Sequence, residues 1–172
     1  LNNWSINCAV GAPIKENCSF VVYDEMRSGA SASGSATAPS LSIPSQGSIT
    51  ATCDNSTTNR VIGFDYAVTC NRKPYYSIGN KEPTEVKFIP PLNITAAVQI
   101  EVDDAFLESG RNFLETGKSS RTVNLKVDGR NGGPTLVDAS VPNACLVSES
   151  LSASSAGSLR LTLNYMGHIT TT

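Results

Sequence analysis

Residues 93–102 place Ile94, Ala96, Val98, Ile100 and Val102 on every second position, with Asn93, Thr95, Gln99 and Glu101 among the positions between them. Successive side chains of an extended strand point to opposite faces, so this stretch has one apolar face and one wet face. Residues 159–165 repeat the pattern, with Leu159, Leu161, Leu163 and Tyr165 alternating with Arg160, Thr162 and Asn164. A helix repeats every 3.6 residues and cannot gather such positions on one side, which commits the chain to sheets buried on one face. Shorter runs at 18–24, 48–53, 61–69, 85–89 and 121–127 read the same way and complete a set of strands.

Turn-forming residues separate these runs: a Gly/Ala/Ser-rich stretch at 28–40, then 54–59, 71–74 and 129–134, the last centred on Asn131-Gly132-Gly133. One short helix is conceivable at 103–114, where Phe106, Leu107, Phe113 and Leu114 cluster, though Gly110 interrupts it. Strands at short, regular spacing with few helices predict an all-β fold, an antiparallel immunoglobulin-like β-sandwich. A chain of 172 residues suits one such domain, spanning 1–172. Its expected core includes Ile94, Val98, Ile100, Leu159, Leu161 and Leu163.

Charge excludes several functions. Thirteen basic residues are scattered through a chain of net charge −2, with no concentrated basic patch for nucleic acid. No apolar run is long enough to cross a bilayer as a helix, and Leu1-Asn2-Asn3-Trp4 lacks the basic and apolar regions of a signal peptide. The expectation is a mature, secreted or cell-surface protein without membrane insertion.

An enzyme needs a placed base, and His168, the only histidine, lies close to the C-terminal end of the sequence. The carboxylate pairs Asp24-Glu25 and Asp103-Asp104 are sequence neighbours, which on a strand point to opposite faces and not across a cleft. No catalytic residue and no cofactor is expected. Five cysteines at 8, 18, 53, 70 and 145 contain no CxxC spacing, so a metal is not expected either and disulfides in an oxidising compartment are the better reading. Four sequons occur, at Asn3, Asn17, Asn55 and Asn93, where the Asn, Ser and Thr content supplies about three by chance, so the count says little about the origin of the chain.

Trp4, Tyr75 and Tyr76 stand outside the best strand cores, and Tyr75-Tyr76 follows Arg72-Lys73-Pro74 in an expected loop. Exposed rings stack on sugars and anchor protein interfaces, so Trp4, Arg72, Lys73, Tyr75 and Tyr76 are the candidate ligand contacts, against ordinary packing across a loop.

Three features resemble the pilin and adhesin domains of bacterial chaperone–usher fimbriae. They are the spacing Cys18-x34-Cys53, the segment LSIPSQGSITATC leading into Cys53, and the run from Gly157 to Tyr165 with its alternating leucines and closing tyrosine. The resemblance covers about a third of the chain, and the cysteines at 8, 70 and 145 are additional to the simple family pattern. It implies a Cys18–Cys53 bridge, with Cys8–Cys18 and Cys53–Cys70 as the alternative pairings. It also implies a sandwich lacking one strand, which a periplasmic chaperone or a neighbouring subunit supplies. Only Leu1 to Asn7 precede Cys8, short for a donor strand, and this tilts the expectation toward a tip subunit or an adhesin domain that binds a host glycan or surface protein. A structural pilin, or an immunoglobulin-like surface antigen of a eukaryote or virus, is the alternative.

Overall fold

The computed structural model describes residues 1–23, 48–53, 56–57, 60–102, 121–130, 133–153 and 158–169. The described residues are nearly all β, with no α-helix among them. The strands are β1 (Asn3–Ala9), β2 (Lys15–Ser19), β3 (Ile49–Cys53), β4 (Ser56–Thr57), β5 (Val61–Thr69), β6 (Arg72–Tyr75), β7 (Glu85–Phe88), β8 (Leu92–Val102), β9 (Arg121–Asp128), β10 (Thr135–Ala153) and β11 (Leu159–Ile169). Nine of them form one antiparallel sheet in the order β2-β1-β5-β8-β11-β10-β9-β3-β4, while among the described residues β6 and β7 pair only with each other.

The nine-stranded sheet curls because β10 serves two neighbours in turn. Its first part, from Thr135 to Ala144, pairs with β9, and its second part, from Cys145 to Ala153, pairs with β11. Pro142 falls at the changeover, beside a register shift between Val141 and Ala144, and Asn143 takes a φ of 50°. Proline has no amide to give a ladder, so the point where one partner is exchanged for another is where a long strand tolerates it. Asparagine is among the few residues that adopt the left-handed region readily.

Contacts between strands that are not neighbours in the sheet order show that the curled sheet folds over, one limb facing the other. The Tyr66 hydroxyl on β5 donates to the Ser140 carbonyl on β10 at 3.0 Å, and the Tyr165 hydroxyl on β11 lies 3.1 Å from the buried Cys53 sulfur on β3. Between the two limbs lies one apolar cluster built from alternate residues: Ile6, Phe64, Tyr66, Val68, Ile94, Val98, Ile100, Leu161, Leu163 and Tyr165 from one side, Ala51, Val123, Leu125, Val127, Ala139 and Val141 from the other. Each large side chain taken fully out of water here contributes about 1.5–3 kcal/mol before the entropy of ordering it.

Gly167 on β11 sits close against the changeover on β10. A Cβ at this position would stand 2.6 Å from Val141 Cγ1 and 2.7 Å from the Pro142 carbonyl oxygen. A methyl there has to push backbone, so Gly167→Ala is expected to destabilise the fold by about 1–3 kcal/mol, read as a lowered midpoint in urea unfolding. An unchanged midpoint would mean that the limbs are not in contact at β10.

Several expectations change. The strand expected at 18–24 ends at Ser19, and Phe20, Val21 and Val22 continue it in sequence but lie exposed with no strand assignment. Residues 72–75, read as turn and loop, form β6. β4 falls within 54–59, read as turn, and β1 and β10 were not expected. The helix expected at 103–114 and the loop at 28–40 fall outside the described residues. The bridge expected between Cys18 and Cys53 is absent, as are Cys8–Cys18 and Cys53–Cys70: none of the five cysteines is disulfide-bonded. The ladders explain this, since Cys18 lies on the outermost strand opposite Trp4, whereas Cys53 is buried on β3 near the far end of the sheet order. Burial pushes the Cys8 thiol above its ordinary pKa, which favours the protonated form.

Candidate functional site

The chain leaves the curled sheet at the end of β5 and returns to it at β8, and the intervening β6–β7 hairpin carries four of the five residues singled out as ligand contacts. Its register pairs Arg72 with Phe88, Lys73 with Lys87, Pro74 with Val86, and Tyr75 with Glu85. Alternation then sorts the hairpin into two faces. Pro74, Val86 and Phe88 are half-buried on one, and Lys73, Tyr75, Glu85 and Lys87 are exposed together on the other.

The loop is closed by its own hydrogen bonds. The Thr84 amide donates to the Tyr75 carbonyl at 2.8 Å, the Asn80 amide to the Ser77 carbonyl at 3.1 Å, and the Thr84 hydroxyl to Ser77 Oγ at 2.8 Å. Gly79 takes a φ of 91°, the left-handed conformation that the third position of a type II turn requires. Ile78, just before it, is wholly exposed at the apex, and Tyr76 is 59% exposed.

On the exposed face the Lys73 ammonium lies 5.7 Å and the Lys87 ammonium 5.5 Å from the centre of the Tyr75 ring. Lys87 also forms an ion pair with Glu85 at 3.2 Å. The hairpin, residues 71–89, thus concentrates Arg72, Lys73, Lys81 and Lys87 against Glu82 and Glu85, a net positive arm on a chain of net charge −2. Chemically it can present an aromatic face, an apolar tip and ammonium groups to a partner, and it holds no nucleophile with an adjacent base.

Trp4 stands apart from this group. It packs edge-on against Tyr66 with ring centres 5.6 Å apart, and its indole nitrogen donates to Glu16 at 2.5 Å, so most of its surface serves the margin of the core. His168 is exposed on β11 opposite Asn93, on the outer face of the sheet. Among the described residues no three His, Cys, Asp or Glu side chains gather as a metal site.

Sequence reasoning missed one further surface, a groove of roughly 380 Å³ on the outer face of β1, β5, β8 and β11. Its lining includes the small residues Ser5, Ala67 and Ala97 together with Asn7, Asp65 and Asn164. Asn7 bonds to Asp65 and Asn164 to Ser148 at 3.0 Å, so much of its polar lining is engaged within the protein. Small residues at the wet positions of three neighbouring strands are the signal that could have found it. No protein-family model matches the chain, and no curated protein matches it.

Proposed function

We propose that this chain is a non-catalytic extracellular adhesion domain, of the fimbrial tip or adhesin type, that binds a host glycan or surface protein through the β6–β7 hairpin. In this reading the curled sheet is an immunoglobulin-like sandwich, the protein is secreted or displayed on the cell surface, and it works without cofactor. The observation that carries the proposal is the hairpin itself: an arm outside the nine-stranded sheet that leaves Tyr75, Tyr76 and Ile78 in water instead of in the core. Exposed aromatics on a loop positioned by a rigid scaffold are what a binding site requires, and here they are flanked by cations. The fimbrial motifs in the sequence add to this reading, and the cysteines do not, because none is bridged.

Glycan arrays and binding to intact host cells identify the receptor, and Tyr75→Ala and Tyr76→Ala test the site. Loss of a stacking ring is expected to weaken binding about tenfold to a hundredfold, with circular dichroism unchanged. Binding that survives both substitutions would place the site elsewhere.

One observation favours a second reading, a structural pilin completed by a strand from a periplasmic chaperone or a neighbouring subunit. Among the described residues the edge strand β2 has a partner on one side only, and Phe20, Val21 and Val22 beside it are 67%, 51% and 72% exposed. An open edge next to apolar side chains is what an added strand covers. A synthetic donor-strand peptide that raises the unfolding temperature, in a protein with no receptor, would favour this role over adhesion.

A further inference from the structure

We propose that the exposed face of the hairpin is an anion site, and that the saccharide it takes carries a sulfate or carboxylate group; this rests on the adhesion reading and names its ligand class. The starting point is the ladder. Lys73 and Lys87 are directly opposite each other across β6 and β7. Side chains so placed start about 4.5–5.5 Å apart at Cβ, and like charges there repel and weaken the two-stranded pairing.

The protein relieves this repulsion only in part. The Tyr75 ring attracts both ammonium groups, and Glu85 reaches Lys87. Among the described residues no carboxylate pairs with Lys73, so one face keeps a surplus of positive charge beside an exposed ring. An oxyanion between the two ammonium groups turns their repulsion into attraction, and the 44% exposed Tyr75 ring is left to contact the apolar face of the attached sugar. A sulfated and a sialylated saccharide share this chemistry, and a neutral saccharide satisfies only the ring.

The whole chain is titrated with a heparin-derived hexasaccharide, with 3′-sialyllactose and with neutral maltohexaose, at low and high salt. Binding to at least one anionic saccharide and not to maltohexaose is expected, weakening as salt screens the exposed charges. Heparin alone identifies a sulfate site, and sialyllactose alone a carboxylate site. Lys73→Gln or Lys87→Gln should each weaken binding about two- to fivefold, and Glu85→Gln should tighten it by a similar factor. The Lys73→Glu/Lys87→Glu double variant should lose roughly a hundredfold or more. Lys15→Glu, on β2, should bind as the parent does.

Thermal unfolding separates a ligand role from a structural one, because removing one of two opposed lysines should leave stability unchanged or raised while binding falls. The proposal is overturned if neither anionic saccharide binds, if Lys15→Glu weakens binding as much as the hairpin variants do, or if the double variant binds as the parent. It is also overturned if the ligand proves to be an acidic protein or an anionic lipid vesicle. Binding to a neutral glycan that depends on Tyr75 but not on the lysines would sink the anion site and leave the adhesion reading standing. Loss of all binding partners would sink both.

Discussion

Replacing Phe64 with alanine is expected to destabilise the protein by about 3–5 kcal/mol, which for a domain stable by roughly 5–15 kcal/mol is about a fifth of the total or more. Phe64 is 1% exposed on β5, with Cys8 of β1 opposite on one side and Val98 of β8, fully buried, on the other. Three paired strands hold the backbone around it, so the site cannot collapse to refill the space, and both the lost transfer energy and the cavity count. Urea unfolding should show a lower midpoint with an unchanged slope, and the melting temperature should fall by about 6–20 °C. Thr95→Ala, on the wet face of β8, is the control and should stay within about 0.5 kcal/mol. A loss below about 1 kcal/mol for Phe64→Ala would mean that the two limbs do not close over this ring.

The strands that could be read from the sequence are those whose alternation runs unbroken. β5 and β8 appear almost as expected, and the six expected core residues of β8 and β11 include five that are buried and Leu159, which packs half-buried against the same cluster. β10 could not be read, because its buried residues change parity. Val137, Ala139 and Val141 face the core on odd positions, and after the shift at Pro142 and Asn143 the core positions are Ala144 and Leu146. A period-two template cannot follow a strand through a bulge that flips its faces. β1 was hidden for another reason: only Ile6 is fully buried, so its seven residues carry little apolar signal. Composition misled at 20–22, where Phe-Val-Val reads as strand although the ladder has ended.

The candidate site was legible only where its residues are sequence neighbours. Arg72, Lys73, Tyr75 and Tyr76 stood out together, and the structure keeps them on one arm. Lys87 and Glu85 could not be attached to them, because their place beside Tyr75 depends on a hairpin register that the reading of 72–75 as loop did not contain. The place of Trp4 could not be read for the opposite reason: an aromatic outside any recognised strand looks free, and the unrecognised strand β1 turns it toward Tyr66. Cysteine spacing carried no information about pairing, since distance along the chain does not show which strands become neighbours.

Tyr165 offers a direct measurement of how the sheet closes. It is 2% exposed, its ring is among the largest fully buried side chains, and its hydroxyl meets the Cys53 sulfur at 3.1 Å across the two limbs. Tyr165→Ala is expected to cost about 3–5 kcal/mol, as truncation of a large buried aromatic does. Tyr165→Phe keeps the ring and removes only the hydroxyl, so about 0.5–1.5 kcal/mol is expected from it. Cys53→Ala removes the other partner. If the contact joins the limbs, the Tyr165→Phe/Cys53→Ala double variant should lose less than the sum of the two single losses, by about 0.5 kcal/mol or more. The same cycle run with Leu125→Ala in place of Tyr165→Phe tests whether any core truncation couples to Cys53 in this way. Additivity within about 0.3 kcal/mol for the Tyr165–Cys53 pair, together with a Tyr165→Ala loss below 1 kcal/mol, would show that β11 and β3 do not meet in solution and that the sheet stays open there.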